Sequence, residues 1–284
     1  MFNGLNKVRQ QDVDELKDKV REVLCRLGIF DVIFTGSAGK KSPDQLSGDI
    51  DCAFKVDDVD TFDFAAMREA LEDMGFETKY IKGLNLIAIP MPYSGGLAQI
   101  DLVPVFDLDM AEWGLYSAHY TLTKYKSAVR NLLVMSTLSI GTREVTDEDE
   151  DGTPLEWDVY TLQPSVGLFK NHRSIRGTKV KRLKTPKNIS RKLVSRDPDV
   201  VVDVAFGTGT AEDCLSAEDA MTLLEQSKYS REVKDMIICR ARERCIEFGF
   251  VYPPEWDSVA DDYVEEDFEE ECREDFDECA ALSL

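Results

Sequence analysis

Histidine is nearly missing from this 284-residue chain: His119 and His172 are the only two, and neither has a partner at metal-ligand spacing. Both read as structural or exposed residues, so histidine-ligated metal chemistry drops out. The seven cysteines, Cys25, Cys52, Cys214, Cys239, Cys245, Cys272 and Cys279, are odd in number, scattered, and never in CxxC spacing. That pattern excludes a zinc ribbon or redox centre and fits reduced thiols. No apolar run reaches the roughly 18 residues that a membrane span needs, and the first twenty residues have neither an apolar leader core nor an acid-poor transit character. A cytoplasmic setting without membrane contact follows, which for a viral chain means the host cytoplasm. Cations are also in short supply: 34 Lys and Arg stand against 55 Asp and Glu, a formal net charge of -21. Such a molecule is held away from anionic membranes and bulk nucleic acid unless a local patch reverses the sign. A repeat of solenoid length is absent too.

What is present is an ordinary share of apolar residues, 43 %, in a chain long enough for two domains with their own cores. Val13, Leu16, Val20, Val23, Leu24 and Leu27 recur at helical spacing and stop at Gly28, a left-handed cap. Residues 29–34 read as a buried strand running into a turn at Gly36-Ser37, and residues 50–56 as a second strand. Residues 61–74 make an amphipathic helix ending at Gly75. Residues 76–83, 84–90 and 97–105 then read as three strands, the last two joined by the turn-rich 92–96. From Tyr120 to about Ser139 the pattern is helical, 147–151 is an acidic loop, and 156–169 supplies one or two strands. Residues 216–230 and 231–249 look like two helices. The expected division is 1–118, then 119–252 as an α/β or helical domain, then an acidic tail over 253–284.

Chemistry concentrates in two places, residues 35–54 (TGSAGKKSPDQLSGDIDCAF) and 98–107 (AQIDLVPVFD). Side chains two apart on a strand share a face, so Asp49 and Asp51 project together. Asp101 sits between Ile100 and Leu102, where an apolar pattern would not place a charge. A half-buried carboxylate needs a partner, and a metal ion is one of the few adequate ones. Three oxygen ligands without histidine or cysteine suit two Mg2+ (or Mn2+) ions, which about 3.5–4 Å apart assist an in-line phosphoryl displacement. Gly36 and Ser37 offer a tight turn whose N–H groups and hydroxyl can approach a triphosphate, and Lys40 and Lys41 in the same loop can neutralise it.

Gly-Ser, eleven residues, Asp-Ile-Asp and a distant Asp on an apolar strand together resemble the signature of the polymerase-beta nucleotidyltransferase superfamily. The resemblance covers roughly residues 29–106. The chain has Ser-Gly-Asp-Ile-Asp where many members have Ser-Asp-Ile-Asp. The implied fold is α+β, a mixed sheet flanked by helices, followed by a mostly helical second region and the acidic tail. By the same resemblance Asp49 and Asp51 hold both metals, Asp101 holds the one that activates the nucleophile, and Gly36 and Ser37 grip the β- and γ-phosphates of an NTP. Asp101-Leu-Val-Pro is similar to the third-carboxylate strand of oligoadenylate and cyclic-dinucleotide synthases. Tyr125-Lys126 and Arg130-Asn131 are similar to uncharacterised viral and phage nucleotidyltransferase-like proteins, and Lys126 and Arg130 are expected on the nucleotide, although their spacing equally suits an exposed helix face.

The stretch 170–196 holds eleven Lys or Arg and no acid. Two expectations stand beside each other: contact with RNA phosphates, or pairing with the acidic tail within the chain or between subunits of an oligomer. The functional expectation is transfer of a nucleoside monophosphate from an NTP to a hydroxyl on RNA, protein or a nucleotide. Its rival is an inactive member of the fold serving as a binding or assembly module.

Overall fold

The computed structural model describes the chain except residues 1, 3, 60, 83–84, 177–185 and 262–284. It divides between Lys124 and Tyr125 into two compact units, a few residues beyond the boundary expected at 118/119.

The first unit runs β1 (Val8–Arg9), α1 (Val13–Arg26), β2 (Val32–Phe34), β3 (Leu46–Ser47), β4 (Asp49–Lys55), α2 (Phe64–Asp73), β5 (Lys79–Ile81), β6 (Leu86–Tyr93), β7 (Gly96–Val105) and α3 (Leu108–Gly114). Five strands form one mixed sheet in the order β2-β4-β7-β6-β5, with β4 and β7 parallel and the other neighbours antiparallel. The expected mixed sheet with flanking helices is therefore present. β7 is apolar apart from Gln99 and Asp101, and β4 apart from Asp49, Asp51 and Lys55.

The alternation of side chains sorts those faces. Ile50, Cys52 and Phe54 of β4 and Ala98, Ile100 and Leu102 of β7 join Ile87 and Ile89 in the larger core, beneath Leu16, Val20 and Leu24 of α1 and Met67 and Leu71 of α2. The intervening residues, Ala53, Val103 and Val105, point the other way and pack with Leu86, Ala88, Ala111 and Phe2. Asp49, Asp51 and Asp101 belong to this second set by strand parity.

Element boundaries move where local bonds compete with pattern. The expected strand over 29–34 shortens to three residues because Gly28 turns left-handed at φ +78° and the Ile29 N–H closes helix α1 on Leu24 O at 2.9 Å. The turn expected over 92–96 contracts to Ser94-Gly95, since β6 runs to Tyr93 and β7 starts at Gly96.

The second unit contains α4 (Ser127–Ser136), which continues as a π-helical turn over Thr137–Gly141, then β8 (Glu144–Glu148), β9 (Pro154–Gln163), β10 (Gly167–Ser174) and β11 (Lys187–Ser195). Helices α5 (Pro198–Phe206), α6 (Ala217–Gln226), α7 (Arg231–Glu247) and α8 (Glu255–Asp261) follow. The unit is thus mixed: its strands form an antiparallel sheet, β11-β10-β9-β8, beside a helical group in which α4 packs on α6 and α7. The helix expected from Tyr120 begins only at Ser127, and the acidic run 147–151 gives its first two residues to β8 before the turn. The tail expected from 253 starts later. Glu255–Asp261 is helical, Trp256 is fully buried, and Arg242 Nε meets Asp257 Oδ1 at 2.7 Å. No helix among the described residues is long and apolar enough to cross a membrane.

Leu71, wholly enclosed between α2 and the sheet, gives a simple check of this core. Leu71→Ala should lower unfolding free energy by about 2–5 kcal/mol in urea titration, as truncation of an enclosed leucine does.

Candidate active site

The site begins with a register. In the parallel pair β4–β7, Asp51 lies opposite Asp101 and Asp49 opposite Gln99. Strand partners share a face, so the sheet presents a block of Asp49, Gln99, Asp51 and Asp101 on the side away from α1 and α2. Two carboxylates separated by some fifty residues in sequence are brought side by side.

Asp101 is buried, 8 % exposed, and its two oxygens accept from the Gln99 side-chain amide at 3.0 and 3.3 Å. Burial and the neighbouring Asp49 charge raise its pKa to about 6, against the opposing pull of the Gln99 bond. Desolvation lifts Asp51 further, to about 7, with the charges of Asp49 and Asp101 adding to the rise and Lys41 opposing it. These are carboxylates made costly to ionise by burial and by one another.

The donor set fits a hard divalent cation: oxygen ligands only, on one face, with charge that an ion would neutralise. Among the described residues no group of three or more His, Cys, Asp or Glu side chains is gathered into a ready-made metal cage.

The glycine-serine turn leaves the end of β2 and passes directly over Asp51. The Thr35 N–H donates to Asp51 O at 3.1 Å, fixing the turn to β4. Gly36 has φ +65°, and a Cβ there would stand 1.9 Å from Asp51 Oδ2. Glycine is required twice over, by the backbone angle and by the carboxylate. Beyond it the Lys40 N–H bonds Ser37 O at 3.1 Å and the Lys40 ammonium lies 4.4 Å from the centre of the Tyr116 ring. Lys41 Nζ donates to Leu46 O at 3.2 Å and supplies the positive charge felt by Asp51.

Residues 115–120 run beside this loop. Gly36 N–H bonds Leu115 O at 3.3 Å, Gly36 bridges Tyr116, and the Tyr120 N–H bonds Lys40 O at 2.8 Å.

The other expected nucleotide ligands lie in the second unit. Lys126 is the N-terminal flank of α4, its ammonium 5.0 Å from the Phe250 ring centre. Arg130 is fully buried; its Nε and Nη2 donate to Asn131 Oδ1 at 3.1 and 2.7 Å and Nη1 to Cys214 O at 3.4 Å. A guanidinium spent in this way belongs to the packing of α4, so Arg130 is withdrawn from the nucleotide ligands.

Of the basic stretch, residues 177–185 lie outside the described residues, and with them Lys179, Lys181, Arg182 and Lys184. The rest forms β10, β11 and their ends. Lys170 Nζ meets Asp158 at 2.8 Å, Arg176 Nε meets Glu156 at 3.1 Å and its Nη2 also meets Asp147, and Arg173 Nε donates to Asn188 at 3.1 Å. His172 bonds Asp158 at 2.9 Å. The counter-charges found are thus on β8 and β9, where the sequence suggested the tail; residues 262–284 of the tail lie outside the described residues.

No family model and no curated protein matches the sequence. Among solved structures the chain is similar to a ternary complex of Leishmania infantum polymerase beta, with 14 % identity, a TM-score of 0.40, and 80 % of this chain and 75 % of that one covered. It is also similar to an antigenic nucleotidyltransferase-like protein from Paracoccidioides brasiliensis (15 % identity, TM-score 0.29, 46 % and 69 % covered). A third likeness is to the Cid1 poly(U) polymerase (21 %, TM-score 0.29, 46 % and 43 %). The mixed sheet of the first unit is the one that the resemblance implies, and it sets Asp51 opposite Asp101 with Gly36 against Asp51. The first unit has the mixed sheet flanked by helices that the sequence leads one to expect.

Two outcomes follow for the first unit. Gly36→Ala should cost about 1–2 kcal/mol from the left-handed backbone alone and displace Asp51 as well, lowering the melting temperature. The raised pKa values of Asp51 and Asp101 mean that the folded chain holds more protons than the unfolded one between the ordinary carboxylate range and pH 6–7. Their contribution to stability therefore falls as pH rises through that window. In chelator, Asp51→Asn should stabilise the protein more at pH 8 than at pH 5.5; an equal gain at both would contradict the assignment.

Proposed function

We propose that this chain is a metal-dependent nucleotidyltransferase that moves a nucleoside monophosphate from an NTP to a hydroxyl acceptor and releases pyrophosphate. The observation that supports it most is the register placing Asp51 beside Asp101, with Asp49 on the same face and Gly36 in contact with Asp51. Polar groups shared between distant segments at the cost of desolvation are the mark of a working site.

Asp49 and Asp51 would hold both Mg2+ or Mn2+ ions and Asp101 the one nearer the acceptor. Two such ions supply charge neutralisation at the transferring phosphorus and lower the cost of ionising the acceptor hydroxyl. The chain's own residues do the positioning. The Gly36 turn admits a phosphate where a side chain would block it, the Ser37 hydroxyl and loop N–H groups donate to its oxygens, and Lys40 and Lys41 balance the triphosphate charge.

An RNA end is the acceptor we favour over a protein or a second nucleotide. The edge strand β11 carries exposed Lys187 and Lys192, and the Arg191 guanidinium lies 3.9 Å from the Phe169 ring centre, a surface suited to phosphate and base. The same segment would serve subunit contacts if the chain forms oligomers. Reduced thiols agree with a cytoplasmic setting.

The test is incubation with each α-labelled NTP in turn, with Mg2+ or Mn2+ and with total RNA and total protein as acceptors. Labelled product is expected with wild type, and Asp49→Asn or Asp101→Asn should reduce its rate on the order of a thousandfold while leaving the fold intact. Absence of both nucleotide-induced thermal shift and labelled product would make the chain an inactive binding or assembly module.

A further inference from the structure

One uncharged side chain, Gln10, reaches both ends of the loop between Ser37 and Gly48. It belongs to the short turn between β1 and α1, and its two amide atoms do different work. Oε1 accepts from the Gly39 N–H at 2.8 Å, two residues beyond Ser37. Nε2 donates to Gln45 O at 3.0 Å and to Ser47 Oγ at 3.2 Å, immediately before the Asp49 strand.

The backbone around it reinforces the tie. Val8 and Arg9 pair with Ser47 and Leu46 as the β1–β3 ladder, and Val8 and Ser47 are both buried. Within the loop the contacts are local: Lys40 N–H to Ser37 O, Gln45 N–H to Ser42 O, and Lys41 Nζ to Leu46 O. Gly39, at φ +79°, comes close to Val13 and Lys17 on the first turns of α1. Gln10 is the side chain that closes the loop on itself, holding the Ser37 end and the Asp49 end at a fixed distance. An amide suits this place because it gives and accepts at once, and it adds no charge beside a triphosphate.

We infer that Gln10 is a positioning residue for nucleotide binding: it braces the 37–48 loop in the shape that presents Ser37, Lys40 and Lys41 to the NTP phosphates. The inference rests on the proposed nucleotidyltransferase reading and adds to it a residue far from the carboxylates in sequence. Gln10 touches no reacting atom, so its loss should weaken binding much more than the chemical step.

The experiment compares full-length wild type with Gln10→Ala, Gln10→Glu and Asn6→Ala. Asn6 serves as the control because it ties the same N-terminal segment elsewhere, its N–H to Leu97 O at 2.7 Å and its Nδ2 to Gly95 O at 3.2 Å. Steady-state kinetics are run with the NTP that wild type incorporates best, alongside calorimetric binding of magnesium tripolyphosphate. Gln10→Ala should raise KM for the NTP, and weaken tripolyphosphate binding, by about tenfold while kcat changes by less than about threefold. Gln10→Glu keeps the acceptor for Gly39 but loses the donors and adds a negative charge beside the triphosphate, and should raise KM at least as much as Gln10→Ala. Asn6→Ala should leave KM unchanged.

An active wild type with Gln10→Ala indistinguishable from it overturns the brace alone. The brace is equally overturned if Asn6→Ala raises KM as much, or if Gln10→Ala lowers kcat as much as it raises KM. A wild type that neither binds nor turns over nucleotide overturns the proposed function, and this inference with it.

Discussion

The parallel pairing of β4 with β7 is the constraint from which the rest of the first unit follows. Parallel strands cannot be joined by a short turn, so the chain must leave β4, build α2, and return through β5 and β6 before β7 can lie alongside. Its register then decides the chemistry. With Asp51 opposite Asp101, three carboxylates share a face; one residue of slip would send β7's Asp101 into the packed layer under α1 and α2 and bring Ile100 or Leu102 out in its place. The apolar residues alternating with the aspartates are thus what keeps the aspartates where they are.

That arrangement is held against its own electrostatics. Burial and mutual repulsion raise Asp51 and Asp101 well above the ordinary carboxylate range, and the fold offsets the cost with apolar packing on the opposite face. The turn over Asp51 adds to the constraint, because Gly36 leaves no room for movement of the carboxylate toward it. Rigidity of this kind suits chemistry that depends on placement more than on reactive side chains.

Much of this was legible in the sequence because it is local or periodic. The helix ending at Gly28, the Asp49–Asp51 pair and the anomalous Asp101 each declare themselves within a few residues. Helix α5 was missed because Val200-Val-Val reads as strand; what makes it helical is Asp197, whose side chain accepts from the Asp199 N–H, with Pro198 at the first position and left-handed Gly207 after the end. Residues 120–126 follow a helical pattern but spend the Tyr120 N–H on Lys40 O, a partner eighty residues away. The counter-charges of Lys170 and Arg176, namely Asp147, Glu156 and Asp158, could not be read from the sequence because they become neighbours only when β8, β9 and β10 pair. Gln10 and Gln99 escaped notice as uncharged residues; for Gln99 the signal was there, two positions before Asp101 and hence on its face. Arg130 failed for a different reason, since nothing in its spacing separates a cation aimed at a ligand from one enclosed with Asn131 and Cys214.

Strand alternation also isolates the thiol nearest to the carboxylates. Cys52 follows Asp51 in sequence but lies on the helix-covered side of the sheet, wholly enclosed, with burial pushing its pKa up to about 12. Alkylating reagents act on thiolates that solvent can reach, and Cys52 offers neither property. Any modification of this protein by such a reagent would therefore report on some other cysteine.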